Sequence, residues 1–127
     1  MANGATVTVY VAGPLCAEAK RELARHGVEA GEVRVRAICL PSSERGGKLE
    51  LATIGANARR ATEDSSSIAY IGEPTAAASR FAETILEEAG IAQLPQVSGK
   101  AAMAKLLQAV EEASGGSLRV SVFDALD

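Results

Sequence analysis

The sequence predicts an α/β domain built as a three-layer, doubly wound parallel sheet, flavodoxin-like and with strand order 2-1-3-4. Two observations predict it. Short β-branched or apolar segments alternate along the chain with longer segments of helical period, in the order β-α-β-α-β-α-β-α. Clusters of Gly, Pro, Ser and Asp separate these segments. Because parallel strands joined by helices require right-handed crossovers, we expect helices on both faces of the sheet.

Four segments have the composition of strands: residues 6–12, 33–39, 68–71 and about 91–94. The first reads Thr-Val-Thr-Val-Tyr-Val-Ala and stops at Gly13-Pro14. In the second, Arg34 and Arg36 alternate with apolar residues, which predicts an edge strand whose arginines face solvent. The third is apolar throughout, as strands buried on both faces are.

Five segments predict helices: residues 15–26, 48–62, about 75–89, about 99–113 and the stretch after 117. The first four carry apolar stripes, made of Leu15, Ala19, Leu23 and Ala24; of Leu51, Ile54, Ala58 and Ala61; of Phe81, Ile85, Leu86 and Ala89; and of Met103, Leu106, Leu107 and Val110. Gly115-Gly116 ends the fourth helix, and Ser117 can cap a fifth. Weak alternation after Ser117 leaves a fifth strand as the alternative. Residues 41–47 predict a loop.

The composition limits the classes of function. The chain has 127 residues, taken as one domain over 1–127, with 47% apolar residues and a net charge of -3. Interspersed charges, 3% aromatic residues and no Trp give no indication of a nucleic-acid partner. No apolar run approaches the ~20 residues that span a bilayer. The first residues lack a signal-peptide pattern, so an exported form would have lost its signal and would be periplasmic or lipid-anchored at the cell surface.

The predicted loops lack the common cofactor and metal motifs. The loop after the first strand, Gly13-Pro14-Leu15-Cys16, fits neither the dinucleotide-binding nor the P-loop pattern. Two cysteines and the lone His26 match no zinc spacing. We therefore expect no cofactor, no metal and no enzymatic activity.

Cys16 has three interpretations. In the first turn of a helix its thiol pKa would be lowered, which suits a nucleophile with Arg21 five residues later. However, helix-forming residues separate the two, and Glu18 would repel an anion. The second interpretation is a small packed cysteine. The third is a disulfide with Cys39, since the first two strands should be neighbours and both cysteines lie towards the same end of the sheet.

The loops after the first and third strands flank the expected switch point of the sheet, where such folds bind ligands. The turn from Gly72 to Ser79 starts a helix there, so Thr75 or Ser79, together with free helix N–H groups, can bind a carboxylate. In the alternative interpretation, Thr75 is a helix cap and Ser79 an ordinary first-turn residue. Glu73, beside the helix start, would discourage an anionic ligand.

The order of several segments resembles type I periplasmic solute-binding proteins, the Leu/Ile/Val-receptor family. The resemblance covers about residues 7–98 and rests on Val11-Ala12-Gly13-Pro14-Leu15, Asn57-Ala58-Arg59-Arg60-Ala61-Thr62-Glu63-Asp64, Ser67-Ile68-Ala69-Tyr70-Ile71-Gly72 and Glu87-Glu88-Ala89-Gly90-Ile91. It implies that residues 6–98 form the N-lobe of a periplasmic-binding-protein-like fold. Residues 99–127 resemble the family's C-terminal end, where helices return to the N-lobe, and the second lobe of the family is missing between them.

By position, the resemblance implies a half-site for a small solute at the crevice. We expect it to contain Gly13 and Pro14 at the end of the first strand, and Thr75, Ala76, Ala77, Ala78, Ser79, Ser98 and Gly99, with Val97 alongside. Ala76 and Gly99 stand where the family carries hydroxyl groups.

The function that the resemblance implies is that of a truncated solute-binding module. Such a module would bind an amino acid or similar small molecule, or dock a partner, in ABC-type uptake or sensing. A homodimer or a second-lobe partner would cover the open half-site. The alternatives are a structural or interaction domain whose ligand site is lost, and a small enzyme that uses Cys16.

Overall fold

The structure, a computed structural model, describes residues 5–27, 29–30, 33–42, 44–45, 48–73, 75–94, 98–112 and 118–126. Within these ranges the strands are β1 (Ala5–Val11), β2 (Glu29–Ala30), β3 (Val33–Cys39), β4 (Glu44–Arg45), β5 (Lys48–Leu49), β6 (Ser67–Ile71) and β7 (Ala92–Leu94). The helices are α1 (Gly13–His26), α2 (Leu51–Glu63), α3 (Ala76–Glu88), α4 (Gly99–Glu112) and α5 (Leu118–Leu126).

Four of the strands form an all-parallel sheet in the order β3-β1-β6-β7. This is the predicted order 2-1-3-4, so the predicted fold class is confirmed. In the register of the sheet, Val9 of β1 lies opposite Ala37 of β3 on one side and Ala69 of β6 on the other. The two residues of β2 pair antiparallel with the first two of β3 and extend the sheet at that edge.

Helices cover the sheet on both faces, and each face has its own apolar core. On one face, Val7, Val9 and Val11 of β1 pack with residues of α1, α4 and α5, among them Leu23, Leu106 and Val122. On the other face, Tyr10 and Tyr70 pack with residues of α2 and α3, among them Ile54 and Leu86. The alternation of side chains along β1 therefore divides its residues between the two cores.

Some sequence-based expectations are corrected by the structure. Residues 44–45 and 48–49 pair as a short antiparallel ladder within the predicted loop and the predicted start of the second helix, so α2 begins at Leu51 rather than 48. In contrast, the segment after residue 117 forms helix α5, which was the expected element, and not the alternative strand. The proposed stop at Gly115-Gly116 and the cap at Ser117 lie outside the described residues.

Three residues that were expected to face the core are exposed. Leu51 is 53% exposed in the first turn of α2, and Phe81 is 43% exposed. The Phe81 ring lies 3.6 Å from the position that a Cβ of Gly55 would occupy, so it covers a glycine of α2 rather than the sheet. Ala24, near the end of α1, is exposed as well. Periodicity identified the apolar face of each helix, but it did not show which residues of that face extend beyond the sheet and are exposed.

Candidate functional site

The expected switch point lies between the neighbouring strands β1 and β6. The chain leaves β1 into α1 on one face of the sheet and leaves β6 towards α3 on the other face. At this point the two strand ends are in close contact. The backbone N–H of Ala12 donates to the carbonyl of Ile71 over 2.8 Å, and a Cβ on Gly72 would lie 2.7 Å from the Cβ of Ala12.

Gly13 and Pro14 lie in the first turn of α1 rather than in a loop. A Cβ on Gly13 would lie 2.8 Å from the carbonyl oxygen of Leu40, just beyond the end of β3. Gly13 thus allows α1 to start directly against the neighbouring strand end. Pro14 stands where a missing N–H costs no helical hydrogen bond.

The start of α3 brings together the second group of predicted residues. Thr75 caps the helix, its hydroxyl accepting a weak hydrogen bond from Ala78 N–H at 3.4 Å. Ser79 is buried, and its hydroxyl donates to the carbonyl of Glu73 over 2.9 Å. Ala76 and Ala77 are exposed, and in the described part of the chain their N–H groups have no hydrogen-bond acceptor. These two N–H groups are the polar atoms that α3 offers to a ligand.

Glu73, which we expected only as a helix-start residue, is almost completely buried at 1% exposure. The hydroxyl of Tyr70 donates to its Oε2 atom over 2.6 Å. Burial, followed by the charge of Glu73 and this hydrogen bond, raises the pKa of Tyr70 well above its usual value. The pair ties the turn to the core beneath α3. Only the Tyr-x-x-Glu spacing at the end of an apolar strand could have indicated it.

Gln93 of β7 is a further residue that the sequence did not single out. Its side-chain amide donates to the carbonyl of Gly72 over 3.1 Å and to that of Ser79 over 3.3 Å. It therefore joins β7, the turn after β6 and the first turn of α3. We expect this bridge to hold the N–H groups of Ala76 and Ala77 in a fixed direction.

The third group, Ser98 and Gly99, starts α4. The Ser98 hydroxyl accepts a hydrogen bond from Ala101 N–H at 3.1 Å, so it acts as a helix cap. Gly99 is buried against the carbonyl oxygen of Leu15 in α1, and its N–H donates to Oε1 of Glu18 over 3.1 Å. The starts of α1 and α4 are thus packed together, and Glu18 has a structural role. Val97 lies outside the described residues.

Cys16 and Cys39 form a disulfide with a Cα–Cα distance of 5.6 Å. It joins the first turn of α1 to the last residue of β3, across 23 residues of sequence. Of the three interpretations of Cys16, the structure therefore selects the disulfide. Neither cysteine is a free thiol, which removes the nucleophile that a Cys16 enzyme would need.

The described residues form a groove of about 550 Å³ between α1 and β3, and a cleft of about 190 Å³ between α1 and the start of α4. None of the nine predicted site residues lines either of them. The described ranges contain no group of three His, Cys, Asp or Glu side chains arranged to hold a metal ion. Among the helices of the same ranges, none has the length and apolar character needed to cross a membrane.

Comparison with known proteins gave no relative: no protein-family model, no curated protein and no solved structure matches this chain.

Proposed function

We propose that this chain is a non-enzymatic, extracytoplasmic binding module of the periplasmic-binding-protein-like type. In this proposal it holds a small, amino-acid-like solute at the crevice between β1 and β6, as part of ABC-type uptake or sensing. The main supporting observation is that Ala76 and Ala77 are exposed and that their N–H groups, at a helix start beside the switch point of a parallel sheet, have no acceptor among the described residues.

A solute carboxylate would bind these two N–H groups, where the partial positive charge of the helix start favours an anion. The hydroxyls of Thr75, Ser79 and Ser98 are already used within the protein, so they add little to the site. Glu73 is buried beneath the turn, where its carboxylate is hydrogen-bonded to Tyr70. A site of this kind, open on one side, buries little of a small ligand, and we expect weak affinity. A second lobe or a second copy of the chain would supply the missing wall.

The disulfide supports the extracytoplasmic part of the proposal. Structural disulfides persist in oxidising compartments and are rare in the cytosol of most organisms. Cys16 and Cys39 are both used in this one bond, at the end of the sheet where the crevice lies. The bond would keep the start of α1, with Gly13 and Pro14, fixed beside that crevice.

Titration calorimetry with leucine, isoleucine and valine tests the proposal. We expect saturable binding with a dissociation constant between about 10 μM and 1 mM. The Ala76→Asp variant should weaken it about tenfold, because its own carboxylate competes for the helix start. Ala52→Asp places the same charge at an exposed first-turn position of α2, and should leave binding unchanged. No saturable binding by the wild type, or equal effects of both substitutions, would contradict the proposal.

A second candidate is a structural or interaction domain whose ligand site is lost. The engagement of all three hydroxyls and the close packing of Gly99 on Leu15 favour it. It predicts no amino-acid binding together with a defined oligomer. Small-angle scattering over a range of concentrations distinguishes a homodimer from a monomer.

A further inference from the structure

We propose that the groove between α1 and β3 binds a small anionic amphiphile, a carboxylate carried on a short alkyl chain or an aromatic ring. The groove is lined on one side by Lys20, Leu23 and Ala24 of α1 and on the other by residues of β3, among them Arg34, Val35 and Arg36. Its volume of about 550 Å³ lies within the range of small-molecule sites. This proposal does not rest on the solute site at the crevice, since no residue is shared.

Alternation along β3 gives the groove two kinds of wall. Val35 belongs to the core beneath α1, and Ala37 packs against it, so both face the helix. Arg34 and Arg36 alternate with them along the strand and so lie on the opposite face, where Arg36 donates to Thr8. The groove therefore has an apolar wall between α1 and β3 and a cationic wall, made of Lys20 of α1 and of Arg34 and Arg36 of β3. An alkyl chain or ring fits the first wall, and a carboxylate fits the second.

The charge of the groove is opposite to that of the whole chain. Three of its eight lining residues are cationic and none is acidic, although the chain carries 16 acidic and 13 basic residues. Like charges gathered in one place repel each other, so this arrangement is stabilised when an anion binds.

Two of the three cations are available to such an anion. Arg36 donates from Nε and Nη2 to the hydroxyl of Thr8, over 3.2 and 3.0 Å, and lies 3.9 Å from the carboxylate of Asp64. In contrast, Lys20 and Arg34 are exposed, and neither forms a hydrogen bond or ion pair with any side chain that the structure describes. Lys20 lies one helical turn from Leu23 and Ala24, at the apolar wall. We therefore assign the carboxylate to Lys20 and Arg34.

The edge of β3 beside the groove is also open. β3 pairs with β1 along its whole length, whereas β2 covers it only at Val33 and Arg34. From Val35 onwards, no described strand pairs with this edge. Edge arginines often serve only to prevent strand pairing between molecules. That role needs no apolar cavity beside them, whereas a ligand site needs both walls.

Titration calorimetry of the full chain with hexanoate, octanoate and octanol tests the proposal. We expect octanoate to bind about 4- to 15-fold more tightly than hexanoate, from two further buried methylene groups. Octanol should bind at least tenfold more weakly than octanoate, because it lacks the charge that Lys20 and Arg34 attract. Equal affinities for octanol and octanoate, or no saturable binding of octanoate below about 1 mM, would overturn the proposal.

Variants separate this site from general attraction of anions to the protein surface. Arg34→Gln and Lys20→Gln should each weaken octanoate binding by about tenfold. Arg59→Gln removes an exposed cation of α2 and should leave it unchanged. Ala24→Glu places a carboxylate in the groove and should abolish binding, whereas Ala17→Glu, at an exposed position near the start of the same helix, should not. Melting temperatures of all variants identify any that fail to fold.

A final measurement distinguishes a soluble amphiphile from a lipid surface. Vesicles of phosphatidylglycerol and phosphatidylcholine are sedimented with the protein. If the protein sediments with anionic vesicles and octanoate neither binds saturably nor displaces it, the ligand is a membrane surface and our proposal is wrong. Saturable octanoate binding that requires Arg34 and Lys20, without sedimentation, supports it.

Discussion

Gly99, the first residue of α4, lies against the carbonyl oxygen of Leu15 in the first turn of α1. The two are so close that a side chain on residue 99 would not fit between them. A Cβ there would also lie 3.0 Å from the backbone nitrogen of Ala19 and 3.2 Å from the Cβ of Glu18. The N–H of Gly99 meets Glu18 Oε1 at the same place. The contact between α1 and α4 therefore depends on the absence of a side chain at residue 99.

We expect Gly99→Ala to destabilise the protein by about 1 to 3 kcal/mol, because backbone atoms of α1 cannot move aside as a flexible side chain can. Urea unfolding followed by circular dichroism measures the change. Gly55→Ala in α2 is the matched control, since the nearest atoms there belong to the end of the Arg59 side chain at 3.3 Å. That substitution should be neutral or stabilising by up to about 1 kcal/mol, from helix propensity. Equal losses in both variants would show that the α1–α4 contact is not tight.

Reduction of the Cys16–Cys39 disulfide should lower the free energy of unfolding by about 3 kcal/mol, given a closed loop of 23 residues. Urea unfolding with and without a phosphine reductant gives the difference. The double variant Cys16→Ala, Cys39→Ala should have the lower stability and should not respond to the reductant. If the wild type did not respond either, the two cysteines would not be joined in solution.

Asp64 should contribute to stability at neutral pH but not in strong acid. Hydrogen bonds from Ser66, and next from the hydroxyl of Tyr10 at 2.7 Å, lower the pKa of Asp64 from 3.8 to about 2. Because the folded state holds the carboxylate ionised, its contribution is present above pH 4 and is lost as the pH falls towards 2. Asp64→Asn should therefore cost about 2 kcal/mol at pH 7 and much less at pH 2.

Unfolding by urea at several pH values between 2 and 7 measures this difference. Asp124→Asn, at an exposed position of α5, is the control and should have only a small effect on stability. A loss in Asp64→Asn that stays the same at pH 2 would mean that the side chain acts through packing, not through its charge.

The contribution of His26 to stability should have the opposite pH dependence: it should be present at low pH and lost as the pH rises. A hydrogen bond between its Nδ1 atom and the carbonyl of Gly27 raises the pKa of the imidazole, and Glu111, 3.1 Å from Nε2, adds to this effect. Only the protonated ring can donate to both acceptors. A raised pKa stabilises the folded state fully below the unfolded pKa of about 6.5, and the contribution is lost as the pH rises above the folded value.

Melting temperatures at pH 5.5 and 8.5 test this expectation for His26. The wild type should melt above His26→Gln at pH 5.5, and the gap should close at pH 8.5. Glu111→Gln should reduce the gap without removing it, because the Gly27 carbonyl remains. A gap that widens with increasing pH would contradict the assignment.

The sequence by itself indicated the class of fold, and the order of the strands was expected from the alternation of elements together with the family resemblance. Alternation in β1, the apolar run of β6 and the helical stripes between them are local patterns, and each depends on neighbours within one or two turns of chain. The arginines of β3 likewise indicated an edge strand, and the structure has only the two residues of β2 beyond it. The position of the candidate crevice was predicted from the same strand order. A crevice forms between two neighbouring parallel strands when the helices that follow them lie on opposite faces of the sheet.

The tertiary structure decided what each of these residues meets. Three interpretations of Cys16 fitted the sequence, and the 5.6 Å approach of α1 to the end of β3 selected one of them. The exposure of Phe81, the burial of Glu73 beside Tyr70, and the use of Ser79 and Ser98 within their own helix starts all depend on contacts between elements. Composition and periodicity record which face of an element is apolar. They do not record the distance at which another element packs against it, and that distance decides whether a polar group is left for a ligand or is already bonded.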